Sequence, residues 1–213
     1  MRKSALVIAA IGAAVVSFGT LQAQGGPATI PGQMDTSRVQ AGTYKTDKGH
    51  SLVGWRVNHF GFNDYFGIFG DVDGTLTIDP ANLSAAKVDV TIPINPVVAS
   101  QGLHDHLLRA GKDGGKPDFF GPNPTAARFV STSVTPSGNN ARIVGDLTLN
   151  GVTKPVTIDA QFTGAGNSMM GNKLTVGFEG TTTIKRSEFD LGNFVPMVSD
   201  EVDIEITIAF EKQ

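Results

Sequence analysis

From Tyr44 to the C-terminus, apolar and polar residues alternate with a period of two, and this alternation constrains the fold more than any other feature. In the last run, VDIEITIAF, Val202, Ile204, Ile206, Ile208 and Phe210 share one face, opposite Asp203, Glu205 and Thr207. Successive side chains of a strand point to opposite sides, so this pattern belongs to a sheet with one buried face. The first run puts Val53, Trp55, Val57 and His59 on one face, and the second does the same with Ile68, Val72, Leu76 and Ile78. A third holds Ala86, Val88, Val90, Ile92 and Ile94, and further strands are expected at about 127–135 and 141–149. Asn150-Gly151 then marks a tight hairpin, because both turn residues need positive φ. Strands carrying Val156, Ile158, Ala160 and Phe162, and Leu174, Val176, Phe178 and Ile184, complete the set.

Eight long alternating strands in one domain predict an antiparallel barrel or sandwich. Glycines at 54, 61, 67, 70, 74, 145, 177 and 180 fall in or beside these strands. Glycine weakens a strand unless it permits a bend or a close approach, so they argue for a tightly curved, closed sheet. An eight-stranded barrel is wide enough to be filled by side chains or to hold one slim ligand. The exception to the strand pattern is 97–125, where a short helix with Leu103 and Leu107 on one face precedes a long loop containing Phe119 and Phe120. This insert, between the third and fourth predicted strands, is expected to plug or cover one barrel end.

The N-terminus begins with Arg2 and Lys3, runs apolar from Ala5 to about Phe18, and turns small and polar by Ala23. That is the layout of a secretory signal peptide, and the apolar run is too short to span a bilayer. Residues 1–23 are therefore expected to be removed on export. Residues 24–43, rich in Gly, Pro, Gln and Thr, read as a loose N-terminal tail ahead of a domain at 44–213.

With 17 basic and 20 acidic residues and no basic stripe, the chain has no electrostatic case for nucleic acid or for an anionic membrane surface, and its short apolar run gives none for stable membrane insertion. It has no cysteine, which excludes a disulfide framework and a thiolate metal site. His104-Asp105-His106 resembles the start of a metal site, but positions two apart on a helix diverge and no second cluster completes the set. Ser51 follows His50, yet strand neighbours face opposite ways, and no nucleophile elbow or phosphate loop occurs. The residues therefore point away from an enzyme and from a metal or organic cofactor. His59 and Arg186 are the polar residues of interest. His59 faces inward by strand phase and is either a satisfied buried histidine or a group at a cavity mouth. Arg186 either pairs with Asp190 or Glu188 or meets a ligand's polar end.

Three segments resemble the YceI-like family. In YKTDKGHSLVGWRVNHFGFNDYFGIFGDVDGTLTIDP, the residues Tyr44, Asp47, His50, Ser51, Val57, His59, Gly67, Phe69 and Gly74 stand at matching places. GDLTLNGVTKPVTI (145–158) matches the family's central hairpin, and IKRSEFDLG (184–192) its Arg-Ser segment. The resemblance implies a lipocalin-like eight-stranded antiparallel barrel, periplasmic, holding a polyisoprenoid or similar amphiphilic lipid for transport or storage. It also allows a homodimer, since some members are dimeric. The insert lacks an Arg-Asp pair common before the His-Leu of the family, and its loop is longer than usual.

The resemblance and the strand phases together give an expected site. Val57, Ile68, Val72, Phe178, Ile206 and Phe210 would line an apolar tunnel. Phe60, Phe62, Phe66 and Phe69 of the first hairpin would line or close it, and His59 and Arg186 would lie toward the lipid's polar end. The competing expectation is a non-catalytic stress or structural protein of the envelope whose barrel is filled by its own side chains.

Overall fold

The computed structural model describes residues 29–98 and 100–213, so the expected signal peptide lies outside the described residues. Ten strand segments are present: β1 (Gly42–Thr46), β2 (Leu52–His59), β3 (Asn63–Phe69), β4 (Asp73–Ile78), β5 (Lys87–Ile92), β6 (Ala127–Ser137), β7 (Asn140–Leu149), β8 (Val152–Asn167), β9 (Leu174–Lys185) and β10 (Glu201–Lys212). All pairings are antiparallel, in the order β1-β4-β5-β6-β7-β8-β9-β10-β2-β3, and β1 also pairs with β10. β10 meets β1 at Thr46↔Phe210 and β2 at Val53↔Ile206, so β1 and β2 are two halves of one kinked strand. β4 and β3 pair with those halves in the same way. Counted so, eight strands close into the barrel that the alternation predicts.

Both kinks have local causes. At the first, the hydroxyl of fully buried Ser51 accepts from the Ala209 N–H (3.2 Å) and donates to the Ala209 carbonyl (3.4 Å). Ser51 thus satisfies the Ala209 N–H that the broken ladder would leave bare, while the Ala209 carbonyl also accepts from the Asp47 N–H at 2.8 Å. His50 turns outward to Asp47 at 2.7 Å, so the two neighbours serve separate structural ends. At the second kink, Asp71 adopts a φ of 54°. That irregularity shifts the side-chain phase between β3 and β4. Gly67 and Phe69 face inward on one side of it, Val72, Leu76 and Ile78 on the other, and Ile68 points out.

Some glycines serve aromatic packing within the barrel rather than its curvature. A Cβ at Gly67 would sit 2.6 Å from the Trp55 indole, and one at Gly145 would sit 2.4 Å from the Phe129 ring. Gly70 is different, for its missing Cβ points at Leu52 on the outer face, at 3.7 Å.

The two barrel ends are built unlike each other. One end is covered by the insert, with helix α1 (Gln101–Leu108) capped by the Ser100 hydroxyl accepting from Leu103 N–H. Leu107 of α1 is buried, and Phe120 packs edge-on against Phe69 at 6.1 Å. The insert therefore plugs a barrel end as expected. At the other end lies the segment read from composition as a loose tail. It carries a 3-10 turn at Thr36–Arg38 and bridges to β8 by paired backbone hydrogen bonds between Gln33 and Ala165, at 3.0 and 2.8 Å. No helix among the described residues is long and apolar enough to cross a membrane.

Candidate functional site

The inward faces of the eight strands do not fill the barrel. They enclose a cavity of about 670 Å³ that runs from Ile94, Leu149 and Ile184 near the insert to Val39, Leu83 and Pro136 at the opposite end. Apart from Thr182, its deep walls are aliphatic and aromatic, contributed by all eight strands through the alternation seen in the sequence. A volume of this size lies within the usual range for small-molecule sites. The expectation of a barrel filled by its own side chains is corrected by this space.

Of the predicted site residues, Phe69, Val72, Phe178, Ile206 and Phe210 line the cavity. Phe178 packs edge-on against both Phe162 (5.8 Å) and Phe210 (6.3 Å), forming an aromatic band toward the end opposite the insert. Val57 faces inward and packs on the core beyond the cavity's closed end. The structure places the remaining residues elsewhere. Phe62 and Phe66 of the first hairpin are 88% and 63% exposed, and Phe60 and Ile68 are also on the surface. Phe60 and Phe62 flank Gly61 in the turn, whereas Phe66 and Ile68 occupy outward positions of β3. Phe66 lies under the Arg56 guanidinium, 5.5 Å from its ring centre. Aromatic content alone does not say which side of a strand a ring occupies, and here the phase decides against these four.

His59 ends β2 at the plugged end, where its ring stacks on Tyr65 at 4.2 Å and meets Phe60 edge-on. It does not reach the cavity. Arg186 is 5% exposed and belongs to the same closed end. Its guanidinium donates to the carbonyls of Ser199 (2.8 Å), Val198 (2.8 Å), Asn193 (2.7 Å) and Leu191. Neither Asp190 nor Glu188 is its partner, because the loop from 187 to 200 wraps the side chain in backbone carbonyls instead. Burial lowers its pKa from the ordinary guanidinium value, with the nearby Asp200 charge acting in the opposite sense. Arg186 therefore organises the closed end rather than the cavity wall. The buried Nε1 of Trp55, whose ring lies 6.4 Å from that of Phe69, has no hydrogen-bond partner among the described residues.

The histidines of the insert also hold structure together. His106 Nε2 and Arg109 Nη2 both approach Asp118 Oδ2, at 3.1 and 3.0 Å, tying α1 to the loop after it. Hydrogen bonds from Arg109 and then His106 hold the Asp118 carboxyl below the usual carboxylate range. His104 leans instead on Asp105.

The polar part of the cavity is at the end opposite the insert. Thr36, Ser37, Asn139 and Asn140 line it there, and all four are solvent-exposed. At the insert end, by contrast, Ile94, Ala127, Leu149 and Ile184 are buried. The mouth is therefore the end with Thr36 and Asn139. Glu179 touches its margin, but the phase of β9 sends that side chain outward. Sequence reasoning missed these residues. The wall residues Val88, Val90, Ile143 and Ile158 were legible as inward positions of their strands, but nothing in the sequence brings 36–39 to a barrel end.

A family model described as the YceI-like domain matches residues 44–210. A UPF0312 protein of Pseudomonas paraeruginosa is 41% identical over 175 residues, which cover 80% of this chain and 87% of that protein. Among solved structures, Burkholderia cenocepacia BcnA superposes with a TM-score of 0.64 at 26% identity, covering 77% of this chain and 98% of its own. A polyisoprenoid binding domain from Saccharophagus degradans, implicated in plant cell wall breakdown, shares the fold at 13% identity with a TM-score of 0.51. That match covers 80% of this chain and 98% of the domain.

Proposed function

This chain belongs to the YceI-like family, and from that premise we propose that it is a binding protein whose barrel receives one elongated lipid, an isoprenoid or similar amphiphile. The observation that carries the reading is the cavity itself: about 670 Å³, walled by apolar side chains along the barrel axis and ending in one polar mouth that Thr36, Ser37 and Val39 line. Burying an isoprenoid unit of about five carbons is worth about 4 kcal/mol before binding costs, at about 0.8 kcal/mol per CH₂. A chain of several units therefore binds through packing, and the polar mouth selects the other end of the molecule. Thr36, Ser37, Asn139 and Asn140 offer hydroxyls and amides without a cationic side chain among them. The lipid's end is accordingly an uncharged hydrogen-bonding group rather than a phosphate. The polyisoprenoid-binding neighbour supports the ligand class.

Carriage or storage of such a lipid is the role the family membership suggests, and the N-terminal export pattern supports the periplasm as its place; N-terminal sequencing of periplasmic material that returned Met1 would contradict the export. Binding itself is tested by organic extraction of the purified protein followed by mass spectrometry. A single prenyl lipid at near-equimolar yield is expected. A protein that yields no lipid and takes up none on incubation with geranylgeraniol would refute the reading.

A further inference from the structure

The segment ahead of the family domain crosses the cavity mouth. Residues 29–41 precede the matched region, which begins at Tyr44. β8 outruns β7 at this end, since the last pairing is Asn140↔Gln161 and, after the Phe162 N–H bonds the Asn139 carbonyl at 2.8 Å, β8 runs on past the β7 hairpin. Gln33 takes up this free edge through its two backbone hydrogen bonds to Ala165. The chain then passes over the opening, where Thr36, Ser37 and Val39 face the cavity, and joins β1 at Gly42. At that side Gln40 is held by the Tyr44 hydroxyl, which donates to its carbonyl at 2.7 Å, and by Lys212 Nζ on its side chain, also at 2.7 Å.

The seat on β8 is shaped for this segment. A Cβ at Gly166 would lie 2.0 Å from the Pro31 carbonyl oxygen, and one at Gly164 would lie 3.3 Å from the Gln33 backbone. Glycine at 166 is therefore needed for Pro31 to lie where it does. Yet the attachment is light. Ile30 and Met34 are 74% and 59% exposed, and Val39 is the one apolar side chain of the segment packed on the core. Segments with few buried apolar contacts open at far lower cost than core strands. The opposite end of the barrel is sealed by buried Arg186, Phe189 and Leu191, so it offers no comparable route.

We propose that residues 29–41 form a strap that closes the cavity mouth and lifts off β8 to let a lipid enter or leave, with Thr36 and Ser37 standing against the lipid's polar end when it is closed. This rests on the binding reading above. The test follows N-phenyl-1-naphthylamine, an apolar fluorophore, entering the full chain and leaving it for phosphatidylcholine vesicles in stopped-flow experiments. Gln33→Pro removes the N–H that bonds Ala165 and lies in the strap itself, so the barrel is untouched. Gly166→Val displaces Pro31 from the barrel side. Both variants are expected to raise uptake and release rates together by roughly tenfold or more, as removal of a lid does. If Gly166→Val fails to fold, the Gln33→Pro rates decide. Unchanged rates in a protein that does take up the probe would overturn the strap alone, and absence of uptake by every form would overturn both the strap and the binding reading.

Discussion

Replacing Arg186 separates a structural pin from a ligand contact. The guanidinium donates four hydrogen bonds to backbone carbonyls of the loop that closes the barrel end. Hydrogen bonds from a charged donor contribute about 1.5–3 kcal/mol each in net terms. Arg186→Met abolishes all four but also relieves the cost of burying the charge, and part of the freed loop rehydrates. Each carbonyl left buried without a donor costs about 1–3 kcal/mol, so with partial rehydration a net loss of about 3–5 kcal/mol is expected. For a domain of this size that corresponds to a fall in Tm of about 6–20 °C, at about 2–4 °C per kcal/mol. Trp55 is the chain's one tryptophan, so urea unfolding followed by its fluorescence reads the closed end directly. Arg186→Lys keeps the charge but loses the planar fork, and it is expected to recover less than half of the loss. A loss below about 1 kcal/mol for Arg186→Met, or full recovery with lysine, would refute the pin. Probe affinity in Arg186→Lys should match the wild type under conditions where both are folded, whereas a selective loss of binding would return Arg186 to the cavity.

Three further outcomes follow from the geometry. Trp55→Ala should cost about 3 kcal/mol in urea unfolding, the low end for a large aromatic because the indole is only half-buried. Leu52→Ala, on the outer face, should cost less than about 1 kcal/mol, and equal losses would mean the β2 phase is wrong. Asp118→Asn should weaken the insert modestly at neutral pH. Because the folded carboxyl is depressed, its contribution is present above the unfolded value of about 3.9 and is lost as pH falls through the folded one. The stability gap between wild type and Asp118→Asn should therefore shrink as the pH is lowered past about 4, and a constant gap would refute the pairing. Ala160→Phe puts a phenyl group into the cavity from β8, so it should abolish probe uptake while circular dichroism stays unchanged. Uptake at the wild-type level would show that the probe sits elsewhere.

Most of the barrel was legible because a half-buried strand writes its phase into the sequence. The runs from Ala86 to Ile94 and from Val202 to Phe210 alternate without interruption, and both place the expected residues inward. The reading failed at Ile68, where Asp71 resets the phase through a backbone conformation that no hydrophobic count reveals. It fails again at Phe60, Phe62 and Phe66, because aromatic density does not distinguish a turn or an outer strand face from an interior. Arg186 looked like a ligand group or half of an ion pair, since carbonyls donated by a distant loop leave no side-chain signature. The mouth was invisible for a related reason. Thr36 and Ser37 reach it only because β8 overshoots β7, and overshoot is a property of strand pairing rather than of either strand.

Geraniol, farnesol and geranylgeraniol titrated into the wild type and into Ala160→Phe would show whether an apolar chain lies along the barrel axis. Each added isoprene unit carries about 4 kcal/mol of gross burial. If even a quarter of it survives the costs of binding, the wild type should gain about fivefold or more in affinity per unit. Ala160→Phe, with the cavity shortened, should show little gain beyond the shortest alcohol. Affinity independent of chain length in the wild type, or the same gain per unit in both proteins, would mean that the cavity is not where the chain binds.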